Sequence, residues 1–351
     1  MSAESHRGIG PVGIAPYLAH VEDGFARRTR ELTEAARRVR VGADAKAIHD
    51  LRVATRRLTA AFRAWEGLVP ARAGEAACRA LRRMRRRLGE ARELEVHVAL
   101  VEGLRPGDGD HGRTVVDTIL EELRERLARR RRAAMKRASP RRLKRLLGRI
   151  EAATSGLAER ASDHAAAAAD ALAVERQVAE RATVALRWTA ARPDEISLHE
   201  TRIRVKQWRY LLECLQEALP DVRWRAAQPL RRLQTLLGEI HDRGLLRDLF
   251  ARYALEPLSE PDREHLNVLI GSLDEERARA VRRFRRRAVA GIAAWAAEPE
   301  AAELLEALRP PADAPEERAA PPEPGPVIEV DDEEQRLSRM ASWLERGRGR
   351  S

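Results

Sequence analysis

An all-α protein is predicted by three features of the sequence. Alanine, leucine, arginine and glutamate, all strong helix formers, dominate its long uninterrupted stretches. Within those stretches apolar residues recur at three- and four-residue steps, the period of one helix face. Runs that would read as strands are nearly absent.

Breakers set the helices in order. The stretches VGAD at 41–44, LVPA at 68–71, RPGDGDHG at 105–112, ASP at 138–140, ARPDE at 191–195, LPDV at 219–222 and EPLSEPD at 256–262 punctuate the chain. Between them the pattern predicts helices at about 14–40, 45–67, 72–103, 112–137, 140–190, 195–218, 222–255 and 262–297, the fifth of them broken near Gly156. Asp44 and Asp194 stand where an N-cap or first-turn acid suits the positive helix start. Residues 1–13 are expected as a flexible N-terminus, and 298–333 as a short helix followed by a linker. That linker, RPPADAPEERAAPPEPGPVIEVDDE from 309, is too rich in proline and acid to bury a core. Residues 334–351 are expected as a short amphipathic helix with a basic tail.

With 351 residues, 44% of them hydrophobic, the chain is long enough for one large or two ordinary domains. Lys+Arg outnumber Asp+Glu by 66 to 55, giving +11 and a pI near 10.6, which favours polyanionic partners. Only four of those cations are lysines, Lys46, Lys136, Lys144 and Lys206, so arginine richness by itself says little and the placement of the cations must carry the argument. Cys78 and Cys214 lie singly in helical patterns with no metal or disulfide spacing, which fits a reducing cytoplasm. No uncharged run reaches the roughly 18 residues of a membrane span and no apolar leader opens the chain, so no membrane partner is expected.

Two segments carry a chemical pattern. Residues 48–65 read IHDLRVATRRLTAAFRAW and residues 198–215 read LHETRIRVKQWRYLLECL. At about 100° per residue, Leu51, Leu58, Phe62 and Trp65 share one face of the first helix, and His49, Arg52, Arg56 and Arg63 form a stripe roughly 60° wide on the other. In the second helix Val205, Trp208, Leu212 and Leu215 form the apolar face, with His199, Arg202, Lys206 and Arg209 in a basic stripe of roughly 80°. Arg57 and Arg204 fall outside the stripes and read as solvated charges.

His49 and His199 are 150 residues apart, and LRRMRRRLGEARE at 81–93 aligns with LRRLQTLLGEIHD at 230–242. An internal duplication follows, with about four helices per copy. The first copy is assigned to 14–138, a connection to 139–156 and the second copy to 157–297, each able to close an antiparallel four-helix bundle. In the LRR segment, Arg82, Arg85 and Arg92 can extend the basic surface, whereas Arg83 and Arg87 point nearer the far side. The basic run ERLARRRRAAMKR at 125–137 is charged almost all round and is not assigned to the site.

The order of HxxRVxxRR at 49–57, HxxRIxxK at 199–206 and an LGE segment before REL or HDR resembles the CHAD family, the conserved histidine α-helical domain, over about residues 14–297. The resemblance implies two pseudo-symmetric four-helix bundles whose basic faces bind inorganic polyphosphate, with His49, Arg52, Arg56, His199, Arg202, Lys206 and Arg209 touching phosphate. It further implies association with cytoplasmic polyphosphate granules. Thr59 and Gln207 stand where the family often carries a further basic residue, and Glu95 replaces a frequent Asp. Arg92-Glu93 and His241-Asp242 are read as inter-helix ion pairs rather than ligand contacts.

The physics of such a site is coherent without the family. Polyphosphate offers repeated charge and no bases to read, and cations at i and i+4 recur about every 5.4 Å along a helix. Arginine grips phosphate oxygens in pairs, and a polyanion favours the protonated form of histidine. A nucleic-acid backbone is the alternative ligand, disfavoured because aromatics are 4% of the chain and Trp65 and Trp208 lie on core faces. A metal-dependent phosphohydrolase is a third reading from the His49-Asp50 and His241-Asp242 dipeptides. Adjacent helical residues diverge by about 100° and suit one metal poorly, and no phosphate loop, HExxH or GxSxG motif is present, so neither catalysis nor a cofactor is expected.

Overall fold

The computed structural model describes residues 14–104, 114–157, 164–218 and 226–295, and among them every regular element is a helix. The expected N-terminus, the 105–112 and 219–222 breakers, and the linker and terminal helix at 298–351 lie outside the described residues. Ten helices are described: α1 Ile14–Val41, α2 Ala45–Ala64, α3 Ala71–Arg87, α4 Gly89–Glu102, α5 Val115–Arg137, α6 Pro140–Thr154, α7 His164–Ala191, α8 Glu195–Ala218, α9 Ala227–Tyr253 and α10 Glu260–Trp295.

Local chemistry sets most of their ends. Asp44 accepts from Ala47 N at 2.7 Å and Asp194 from Ser197 N at 2.8 Å, so both predicted caps close the first turn of a stripe helix. Thr114 and Asp117 form a reciprocal capping box at the start of α5. Pro140 opens α6, where its missing N–H is not needed, and Gly156 follows its end with a φ of 67°, a left-handed conformation that suits glycine. The single helix expected at 72–103 is two, because the chain turns at Leu88. Leu88 is buried, so the turn costs no apolar contact, and the same periodic pattern runs across it.

The duplication is visible in the order of the elements. α1 and α7 end 150 residues apart, at Val41 and Ala191, and each is followed by a short turn into a stripe helix that packs on it. The two stripe helices, α2 and α8, also pack against each other, which joins the copies. Leu51, Leu58, Phe62 and Trp65 of α2 and Val205, Trp208, Leu212 and Leu215 of α8 meet in one core. A second core gathers Val98 and Val101 of α4, Ile119 and Leu123 of α5, Leu249 and Phe250 of α9 and Leu266 of α10. Both cores therefore take side chains from both copies, and all the described helices fall in one compact unit. Each buried leucine contributes about 1.5–3 kcal/mol, so this shared burial is what couples the copies.

Candidate functional site

The apolar face of α2 faces the core, which leaves His49, Arg52 and Arg56 on the side toward α3 and α4. Arg52 Nη1 donates to the carbonyl of Arg85 at 2.8 Å. That carbonyl belongs to the last turn of α3, where it also accepts from Leu88 N at 3.2 Å and carries the negative end of the helix dipole. Arg52 is thus fixed between α2 and α3. His49 lies within the fields of Arg92, Arg56 and Arg52 as well as that of its neighbour Asp50. Desolvation and then Arg92 hold its pKa below the usual 6.5. Asp50 turns to Arg38 at 2.9 Å and Lys46 at 3.2 Å, which holds its own pKa low.

The second copy repeats the arrangement. His199 and His241 bring their rings to 6.0 Å between centroids. At the offset of 149 that aligns the LRR segments, His241 occupies the place of Arg92, so in each copy the stripe histidine meets the same position after the LGE segment. Beside His241, Asp242 lies in the fields of Arg202, Lys206, Arg92 and Arg243. Burial raises its pKa, and the four cations oppose the rise. Arg92 consequently acts on His49 of the first copy and on Asp242 of the second. Through Arg92 the cations about His49 and those about Asp242 are linked in one electrostatic zone that takes residues from α2, α4, α8 and α9.

Other expected site residues are placed elsewhere. Arg63 sits toward the end of α2 beside Arg181, Arg204 and Glu66, and burial lowers its pKa. Arg209 donates through Nε to Gln234 at 2.6 Å and through Nη1 to Glu213, with its guanidinium 4.2 Å above the Tyr210 ring. Arg82 and Arg85 both act on buried Cys78, whose thiol burial pushes up to about 11. Arg57, read from the stripe geometry as a solvated charge, is half-buried and paired with Glu31 of α1 at 3.3 Å and Glu213 of α8 at 3.5 Å. Helical periodicity finds the face a cation is on but not the carboxylate a neighbouring helix brings to it.

After the first LGE segment Arg92 pairs within its own helix, reaching Glu95 at 3.7 Å, and the inter-helix pair there is made by Arg131 of the unassigned basic run, which meets Glu95 from α5 at 3.5 Å. Residues that the stripes did not signal are Asp242, as the carboxylate amid these cations, and Arg243, held by Glu276 at 2.8 Å. The aligned repeat was the signal available for Asp242. Among the described residues no helix is long and apolar enough to cross a membrane.

The fold is shared with solved structures. Over 77% of this chain and 98% of the other, it superposes on PptA from Streptomyces chartreusis with a TM-score of 0.57 at 15% identity. Over 78% and 91% it superposes on the CHAD domain from the plant Ricinus communis, with a TM-score of 0.53 at 20% identity. No curated protein matches the sequence. The CHAD domain model matches residues 24–251, a span that holds both stripe helices and the cation zone between them, and the chain belongs to the CHAD-domain family.

Proposed function

We propose that the protein binds inorganic polyphosphate, without catalysis, along the zone formed by His49, Arg52, Arg56 and Arg92 with His199, Arg202 and Lys206, and that this binding draws it to polyphosphate granules. The observation that supports the reading is the double reach of Arg92, whose charge acts on His49 in the first stripe and on Asp242 beside Arg202 and Lys206 of the second. A flexible polymer with about one charge per unit can lie across such a surface and exchange small counterions for fixed guanidinium, ammonium and imidazolium groups. Trp65 and Trp208 are 3% and 4% exposed, so neither offers a face on which a base could stack, which favours phosphate over single-stranded nucleic acid.

The test is binding of long-chain polyphosphate across a salt series, with RNA as competitor, to the protein and to Arg56→Ala with Lys206→Ala. The expected result is tight, salt-sensitive binding that RNA does not displace, and in the double variant an affinity about 100-fold lower with a salt slope shallower by about two. Equal binding by the variant, or equal competition by RNA, contradicts the proposal.

A further inference from the structure

A cleft of about 480 Å³ opens between α4, α5 and α9. It lies on a flank of α4 turned roughly 140° from Arg92, as judged from His97, and shares no residue with the stripes. Four arginines line it, Arg126, Arg129 and Arg130 of α5 and Arg252 of α9. They face His97, Glu90 and Glu93 of α4, while Leu94, Leu123 and Leu249 give it an apolar wall continuous with the second core.

His97 is the residue that needs explaining. It is 5% exposed, and its Nε2 is buried with no hydrogen-bond partner among the described residues. Such an orphaned atom costs about 1–3 kcal/mol. At the 149-residue offset the matching position in the second copy is Leu246, itself buried, so an apolar side chain serves the fold where the first copy keeps an imidazole. The groups acting on His97 are Glu93 from its own helix, Arg126 from α5 and Arg252 from α9; burial first, then the arginines, hold it neutral by lowering its pKa.

The arginines are loosely committed. Arg130 meets Glu90 at 3.0 Å, Arg126 meets Glu122 and Arg129 meets Glu125 at 3.6 Å, all between exposed side chains, and Arg252 donates through Nε to the Asp248 carbonyl at 3.2 Å. Exposed pairs of this kind contribute about 0–1 kcal/mol, so a more highly charged anion can replace the glutamates as partner.

We propose that this cleft is a second, separate anion site that takes a compact phosphate, either free inorganic phosphate and pyrophosphate or the end of a longer chain. Arginine forks suit a tetrahedral anion with several acceptor oxygens, and the volume has room for two linked phosphates. Nε2 of His97 donates to a phosphate oxygen, and the bound charge reverses the push of the arginines, so binding takes up a proton on the imidazole.

The experiment is calorimetric titration of the full chain with orthophosphate and with pyrophosphate in two buffers of different ionisation enthalpy, repeated on His97→Leu and on Arg126→Ala with Arg252→Ala. The expected result is saturable one-site binding of at least one of the two anions with proton uptake. The arginine variant should bind it about tenfold more weakly or worse, and His97→Leu should lose the proton uptake while keeping or raising its Tm, as Leu246 does its counterpart's work. An absence of saturable binding, or unchanged affinity in the arginine variant, overturns the site; unchanged proton uptake in His97→Leu overturns the role of the histidine. The Arg56→Ala, Lys206→Ala protein should keep pyrophosphate binding whatever becomes of its polyphosphate affinity, which separates this site from the stripes. In that protein, displacement of pyrophosphate by long-chain polyphosphate identifies the chain end as a ligand, and lack of displacement restricts the cleft to free phosphates.

Discussion

Two charged regions lie along the same packed pair of helices, α2 and α8, and differ in what their cations meet. In one, Arg57 of α2 and Arg209 of α8 converge on Glu213, while Arg27 and Arg28 of α1 converge on Glu217. Arg28 is 4% exposed there, and the carboxylates tie three helices together. In the other, His49, Arg52, Arg56 and Arg92 stand near Arg202 and Lys206, and the carboxylate that feels cations of both copies is Asp242. No ion pair joins Arg56 to another described residue. The first region uses its charge to hold the helices in place, and the second gathers cations of both copies about Asp242. Residue type does not separate them, since both are arginine-rich; the carboxylates they face do.

The contrast is broken most severely at Glu213. Glu213→Gln leaves Arg57 and Arg209 facing each other in a partly buried place, and stability in urea should fall by about 3 kcal/mol with polyphosphate affinity little changed. A large loss of affinity in a folded Glu213→Gln protein would show that the first region also serves the ligand.

Asp242 sharpens the contrast from the opposite side. Asp242→Asn removes a negative charge from amid Arg92, Arg202, Lys206 and Arg243, and polyphosphate should bind about threefold tighter at low salt. Because burial raises the pKa of this carboxyl despite four cations, its charged form is disfavoured in the folded protein, and Asn should not lower the Tm. Weaker binding by Asp242→Asn would mean that the carboxylate orients the cations rather than dilutes them.

The smallest effect is a pH dependence. The pKa of His49 is depressed below 6.5 in the free protein, so the folded state holds fewer protons than the unfolded one as pH falls past that value, and His49 lowers stability there. A bound polyanion favours the imidazolium and reverses the sign. Polyphosphate affinity should therefore rise a few-fold from about pH 7.5 to about pH 6, and His49→Gln should flatten part of that rise.

Much of this was legible in the sequence. The caps at Asp44 and Asp194, the apolar faces of α2 and α8 and the 150-residue repeat depend on local chemistry and period, which a sequence displays directly. The turn at Leu88 was not, because the matching LGE segment continues as helix through Gly238 in α9; tertiary packing rather than the tripeptide decides it. The roles of Arg57 and Arg209 were hidden for a similar reason: Glu31 and Gln234 reach them from other helices. His97 carries no pattern at all, and only the cleft around it gives it meaning.

If both copies build one site, the stoichiometry with which a defined short polyphosphate, long enough to span a single stripe, binds the protein will show it. One chain per protein, with Arg56→Ala and Lys206→Ala each weakening that same binding event, is the result expected of a continuous zone. Two chains per protein, with each substitution abolishing one and sparing the other, would show two independent patches and contradict it.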